Sequence, residues 1–448
     1  MSTLVTRTVQ TPDGSPVSFP NGIMIGTATG AGTINHIGTP GQQGFGVGIA
    51  PSLPTNMAKL YGTDDPASDT YGNYQYTDGS IMVYVPAFYY KYGTGANGLA
   101  LNVCDVKAFS YFADVATANA AGYALHRAFY NGGSIRPGFF VDKYLVSKNG
   151  SIASSIKNGV VLTSATRGGL AASPFSAVGQ ADAFHGSIGV ARTRGALFHP
   201  KTLFQNAALA LLANAHGSAS ANTTYNAWYS SGSTNFPKGN NNNALGDVND
   251  GTIAYVWDGN ATYAGCGKTG SANFFSKTTH NGQNCGVADL NGLVWEIMPF
   301  GLVSNGTNYF LLNTSVDVNT ITSGNTLATD AWGATGLAAM YTDIGATYGA
   351  LTASSTNKVF GSAAQVLSEA TSGTAWAMAG AGVPLLAGVG GSNQFGNDYF
   401  FDYRPNEMCP VAGGYWGSSS AAGVWALGCG LVRGASRGDL GCRSALYL

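Results

Sequence analysis

Short apolar runs cut by glycine, proline, asparagine and aspartate dominate the first 75 residues: VSFPNG at 17–22 is followed by IMIG at 23–26 with no helical period. Such punctuation predicts short strands and loops, because these residues favour turns and interrupt both helices and ladders. The stretch 27–54 is rich in Gly and Ala and poor in charge, so residues 1–75 are read as a small β module that packs against its own copies or attaches the chain to a larger body. From residue 79 the pattern changes. IMVYVP (81–86) and FYYKY (88–92) predict an aromatic strand pair, and GFFVDKYLVS (138–147) alternates enough for a half-buried strand. Two helices follow. The first is expected over about 181–194. The second, from near Pro200, carries Leu203, Phe204, Ala207, Ala208, Leu211 and Ala215 at helical spacing and stops at His216-Gly217. Loops and short strands make up the rest. Within them the polar turn at 240–243 and the ordered segment CGVADLNGLVWEI (285–297) stand out. No repeat of solenoid length is visible.

Composition sharpens this picture. Only 10% of the 448 residues are charged, against the usual quarter, and 64 are glycine. That favours a loop-rich, β-dominated α+β fold with ample apolar residues for a core. A net charge of −1 supplies no electrostatic footprint for nucleic acid or an anionic membrane. The opening MSTLVTRTVQTPDGSP has no apolar core of a secretory signal, and no apolar run reaches the length of a membrane span. Synthesis in a cytoplasm without membrane insertion is therefore expected. The six cysteines show no metal-ligand spacing and are expected to be mostly buried thiols. The histidines show no i, i+4 pairing, and His216 is expected at a helix end, where a cation or side-chain donor is favourable. No nucleophile elbow or phosphate loop is present.

The last 38 residues carry the functional signal. They set tiny and polar residues in a frame of Gly413-Gly414, Trp416, GVWAL at 423–427, Gly441 and Arg443-Ser444-Ala445-Leu446. This tract resembles the variable region of retroelement-diversified proteins of the phage major tropism determinant type. MVYVP at 82–86, GFFVDKYLVS, NGLVWE at 291–296 and the GCRSAL ending together resemble the formylglycine-generating-enzyme branch of the C-type lectin fold. The resemblance implies a C-type-lectin-like domain over 76–448 with a variable region at 411–446. It also implies a homotrimer on a phage tail, hence a virion location, with tail or baseplate proteins and a host cell-surface receptor, protein or glycan, as partners. The adaptable positions would be Tyr415, Gly417, Ser418, Gly428, Cys429, Gly430, Leu431, Gly434, Ala435, Arg437, Gly438, Asp439 and Cys442. Framework residues would be Trp295, Glu296, Trp416, Trp425 and Arg443, with Trp295 a buried core anchor.

Two other readings stand beside this one. The enzyme branch implies a thiol oxidase, but its closely spaced cysteine pair is replaced here by Cys429 and Cys442, thirteen residues apart. A cellular surface-displayed variable protein should begin with an export signal or lipid-anchor cysteine. No cofactor is expected. Calcium would rest on Asp289 and Asn291, and Leu293 stands where relatives often place an asparagine oxygen.

Overall fold

The computed structural model describes residues 31–165, 175, 182–231, 239–321, 338–361, 364–388 and 397–448. Two six-stranded sheets organise them, the first antiparallel throughout and the second mixed. The first runs in the order Met57–Lys59, Asn73–Tyr76, Ile81–Pro86, Gly138–Asp142, Ser444–Tyr447, His199–Pro200. Its central strands are apolar on both faces, so Val83, Val85, Phe139 and Val141 face one core cluster and Met82, Tyr84 and Phe140 another. The second sheet runs Asn357–Val359, Tyr399–Asp402, Leu427–Cys429, Val411–Ala412, Trp295–Ile297, Leu440–Gly441. The C-terminal tract thus threads both sheets. Sheet-rich, with four α-helices among the described residues, the chain is α+β.

The N-terminal residues join this body. Residues 1–30 lie outside the described residues. Ile37, Phe45, Val47, Ile49 and Tyr71 pack in the same core cluster as Val83, Phe139 and Leu209. The boundary placed at residue 75 falls inside Asn73–Tyr76, whose register pairs Asn73 with Val83. Of the two expected helices, the first spans Ala183–Arg192 and is capped by Asp182. The second spans Leu203–Ala219 and begins later than Pro200 suggested, because Pro200 pairs with Ser444 in the first sheet. Its start is set by a capping box: the Thr202 hydroxyl accepts from the Gln205 N–H at 3.1 Å, and the Gln205 amide oxygen accepts from the Thr202 N–H at 2.9 Å. Gly217 does not stop it. This helix is buried nearly all round, as an alanine-rich helix through a core must be.

Charge inside the core fixes the sheets to each other. Arg443 is buried, and its Nε donates to Glu296 Oε1 at 2.9 Å. The same guanidinium donates to the carbonyls of Lys143 at 2.8 Å, Asp289 at 2.9 Å and Ala288. Lys201 Nζ closes on the second Glu296 oxygen at 2.8 Å. Burial alone pushes the Glu296 carboxyl up, but the guanidinium and the ammonium outweigh it and hold the group below its ordinary value. Beside this cluster Asp142 accepts from Arg194 Nη1 at 2.7 Å and from the Ser444 N–H at 2.8 Å. One arginine therefore binds the end of Gly138–Asp142, the 288–289 turn and the Trp295–Ile297 strand.

Four histidines are locked in the neutral form. His216 Nδ1 accepts from the Gly41 N–H at 3.0 Å while Nε2 lies 2.9 Å from the Tyr225 carbonyl. His280 Nδ1 accepts from Val287 N–H at 3.1 Å and its Nε2 meets the Gly46 carbonyl at 3.0 Å. In each ring one nitrogen must accept, which a protonated imidazole cannot do. Burial pushes His199, His216 and His280 down to about 4 and His126 to about 3. Of the two roles expected for His216 at a helix end, it is the neutral side-chain donor, through Nε2 to the Tyr225 carbonyl, and not the cation.

Two outcomes follow from these buried groups. Arg443→Met strands Glu296 and several carbonyls, and should cost about 3–5 kcal/mol in denaturant unfolding; a loss under about 1 kcal/mol would contradict the hub. The unfolded histidines bind protons near 6.5 and the folded ones only near 4, so stability is kept above pH 6.5 and lost as pH falls toward 4. The expected slope is about 1.4 kcal/mol per histidine per pH unit. Equal unfolding free energies at pH 7 and pH 5 would refute this.

Candidate binding surface

The C-terminal surface loops begin at a glycine turn. Gly413 and Gly414 both hold φ near +90°, and a Cβ on Gly413 would lie 2.7 Å from the Leu290 carbonyl oxygen. The Gly292 N–H donates to the Gly413 carbonyl at 2.9 Å, which brings the NGLVW segment beside this turn. Leu293 itself is buried with φ +58°, a backbone slot that an asparagine would adopt more easily.

From this turn the chain makes a first loop over 415–421. Tyr415 is half-buried, its ring edge-on to Trp416 at 5.1 Å, and its N–H donates to the Ser418 hydroxyl at 2.9 Å. Ser419 and Ser420 are exposed. Trp416 is buried against Tyr263, 4.9 Å between ring centres. The second loop, 430–439, follows the Leu427–Cys429 strand. Gly434 and Arg437 are exposed there, whereas Gly430, Leu431, Ala435 and Asp439 are half-buried. Arg437 Nε donates to Asp439 Oδ1 at 2.8 Å, so these two charges compensate each other, while the loop's third charged residue, Arg433, is buried over the Phe184 ring. Tyr263 joins the loops: a Cβ on Gly438 would lie 2.7 Å from its hydroxyl.

Main-chain groups hold both loops. The Ser419 N–H donates to the Asn241 carbonyl at 2.7 Å, and the Trp416 carbonyl accepts from Asn243 at 2.7 Å. The carbonyls of Leu431, Ala435 and Asp439 each accept at 2.9 Å, from the N–H groups of Cys409, Ala183 and Trp295. Every residue except proline carries these groups, so side chains in the loops change without breaking their anchorage.

The expected positions separate into three groups. Tyr415, Gly417, Ser418, Leu431, Gly434, Ala435, Arg437 and Asp439 lie together on the two loops. Gly430 and Gly438 are close-packed beneath aromatic rings, with a Cβ on Gly430 sitting 2.5 Å from the Phe401 ring, and Gly428 lies in a strand where a Cβ would come 3.1 Å from the Val411 side chain. Cys429 and Cys442 are corrected: both thiols are fully buried, in two different core clusters, because each points inward from a paired or strand-flanking segment. Among framework residues Glu296, Trp416, Trp425 and Arg443 are buried. Trp295 is not the buried anchor expected. It is half-buried beside Tyr399, 5.8 Å between ring centres, and Glu296 beside it occupies the core. Tyr399, Phe401, Ser436 and exposed Val432 were not anticipated in this surface; the YFFD strand at 399–402 alternates half-buried and buried, a two-faced pattern readable from sequence.

Asp289 and Asn291 do not build a calcium cage. The Asp289 carboxylate accepts from Tyr255 Oη at 3.1 Å, Thr269 Oγ1 at 2.9 Å and the Gly270 N–H at 2.7 Å. A hard cation needs six or more oxygens, and these are committed to holding the 269–270 turn. Among the described residues no group of three or more His, Cys, Asp or Glu side chains is placed to hold a metal. No described helix is long and apolar enough to cross a membrane.

No family profile and no curated protein matches this chain. A solved structure titled Major Tropism Determinant M1 Variant is similar at 10% identity and a TM-score of 0.30. The overlap covers 82% of this chain and 63% of that one, so the chain spans under two thirds of that structure's length. Similarity at this level carries no argument about the surface, which stands on its own geometry.

The packing separates core positions from open ones. Trp425→Ala should cost about 3–5 kcal/mol and Trp295→Ala clearly less, as a half-buried ring leaves a smaller cavity. Gly430→Val should destabilise by about 1–3 kcal/mol through Phe401, while Gly434→Ala, which meets open space, stays within about 0.5 kcal/mol. Equal costs at Gly430 and Gly434 in denaturant titrations would overturn the division.

Proposed function

We propose that the 415–421 and 430–439 loops form the receptor-recognition face of a phage tail protein, diversified by a retroelement and displayed on a C-type-lectin-like scaffold. The observation that carries this reading is the division of labour in the C-terminal tract. Glu296, Trp416, Trp425 and Arg443 are buried, while the loops between them are tied down through main-chain groups that survive substitution. A Tyr, Ser, Gly and Arg mixture also suits adaptable recognition, with rigid aromatic anchors among small polar contacts. The ligand is a host cell-surface receptor, protein or glycan. The chain works in the virion as a homotrimer held by tail or baseplate proteins, and many copies per particle raise avidity.

The role is binding and not catalysis. A thiol-oxidase reading needs reachable cysteines, and all six are buried, with Cys429 and Cys442 in separate clusters. Burial pushes both thiols far up, away from the reactive thiolate.

Arg437 and Tyr415 are the residue types that dominate binding hot spots. Replacing both with Ala should reduce adsorption of the particle to host cells at least tenfold and leave the melting temperature nearly unchanged. The Arg437–Asp439 pair is exposed enough to contribute little to stability. Retained adsorption together with a lowered melting temperature would assign the two residues to the scaffold.

A further inference from the structure

A lysine and an asparagine far apart in sequence meet in the core away from the display loops. Lys143 follows the Gly138–Asp142 strand and Asn73 opens the Asn73–Tyr76 strand. Lys143 Nζ lies 2.5 Å from Asn73 Oδ1, and both residues are buried. The amide cannot rotate away, because Asn73 Nδ2 donates to the carbonyls of Tyr71 at 2.9 Å and Cys285 at 2.7 Å. Nζ is held by the Asn284 carbonyl at 2.6 Å and sits 5.3 Å from the centre of the Phe275 ring. An amine and a primary amide are thus fixed in contact in a buried setting, with Nζ hydrogen-bonded to the oxygen of the amide whose carbon it would attack, and such enforced proximity is what makes intramolecular reactions fast.

We propose that Lys143 and Asn73 join in an intramolecular isopeptide bond. The neutral Nζ attacks Cγ of Asn73, the Nζ–Cγ bond forms, the Cγ–Nδ2 bond breaks, and Nδ2 leaves as ammonia with the proton given up by Nζ. Amine plus primary amide gives secondary amide plus ammonia, so no oxidant, reductant or further reactant is required.

The surroundings supply what the step needs. Burial pushes the Lys143 ammonium down to about 8, against the pull of Cys285 and Asp69. About a tenth is then free amine at neutral pH. A cavity of about 300 Å³ lined by Asp69, Asn284 and Cys285 adjoins the pair's partners. It gives ammonia a way out and places the Asp69 carboxylate where solvent can relay a proton. The product would bridge strands 70 residues apart, directly beside the Arg443 contact to the Lys143 carbonyl.

Mass spectrometry of the full-length protein, denatured after incubation at mildly alkaline pH, tests this. The intact mass should fall short of the sequence mass by one ammonia. Digestion should yield a branched peptide joining residues 73 and 143. Cyclisation at Asn-Gly pairs also sheds ammonia, so the branched peptide is the deciding signal. Lys143→Gln and Asn73→Ala should abolish it, and Asp69→Asn should slow its appearance several-fold. Recovery of Asn73 and Lys143 wholly in separate linear peptides from the parent chain overturns the proposal, whether or not the variants fold.

Discussion

The fold turns on one buried guanidinium. Arg443 stands where the chain leaves the second sheet and enters the first, and its donors reach Glu296, the 288–289 turn and the end of the Gly138–Asp142 strand. A buried charge is costly unless paired and fully hydrogen-bonded. That cost makes the arrangement selective: a shift in the register of either sheet would leave Glu296, Lys201 or Asp142 without its partner. With the C-terminal strand fixed this way, the preceding 30 residues must leave and re-enter the second sheet as surface loops.

Those loops illustrate how a surface can be free while its backbone is not. Their carbonyls and N–H groups are spoken for by Asn241, Asn243, Cys409, Ala183 and Trp295. Ser419, Ser420, Val432, Ser436 and Arg437 face outward, whereas Trp416 and Arg433 are buried and the glycines under Phe401 and Tyr263 lie too close to an aromatic ring to admit a Cβ. The C-terminal tract is therefore not uniform. It holds exposed slots, such as Gly434 and Arg437, alternating with packing positions that resemble them in composition only.

That alternation marks the limit of what sequence could tell. The strands at 81–86 and 88–92 were legible as apolar, aromatic runs, although they lie in different sheets and do not pair. The strand expected half-buried over 138–147 ends at Asp142 and is buried on both faces, and both helices lie where they were expected. Glu296 was legible as a framework residue, and it is buried and held by Arg443 and Lys201. Trp295 was misread because a tryptophan beside a core residue is ordinarily assigned to the core, and strand alternation sends it to the opposite face. Cys429 and Cys442 were misplaced because small residues look alike on a surface and in a tight sheet; the pairing of Leu427–Cys429 between two strands decides the first, and the passage from Leu440–Gly441 into Ser444–Tyr447 through the core decides the second. The boundary near residue 75 could not be drawn from composition, since the partners of Asn73–Tyr76 lie on either side of it.

The central claim is that side-chain identity in the loops is decoupled from folding. The most direct measurement is a pair of libraries displayed on the intact chain and sorted for protease resistance. One randomises Tyr415, Ser418, Gly434, Ser436 and Arg437; the other randomises Glu296, Trp416, Trp425 and Arg443. The account predicts that most members of the first library remain resistant and nearly all members of the second are digested. Comparable losses in both would contradict it, since the loops would then be part of the scaffold they are argued only to decorate.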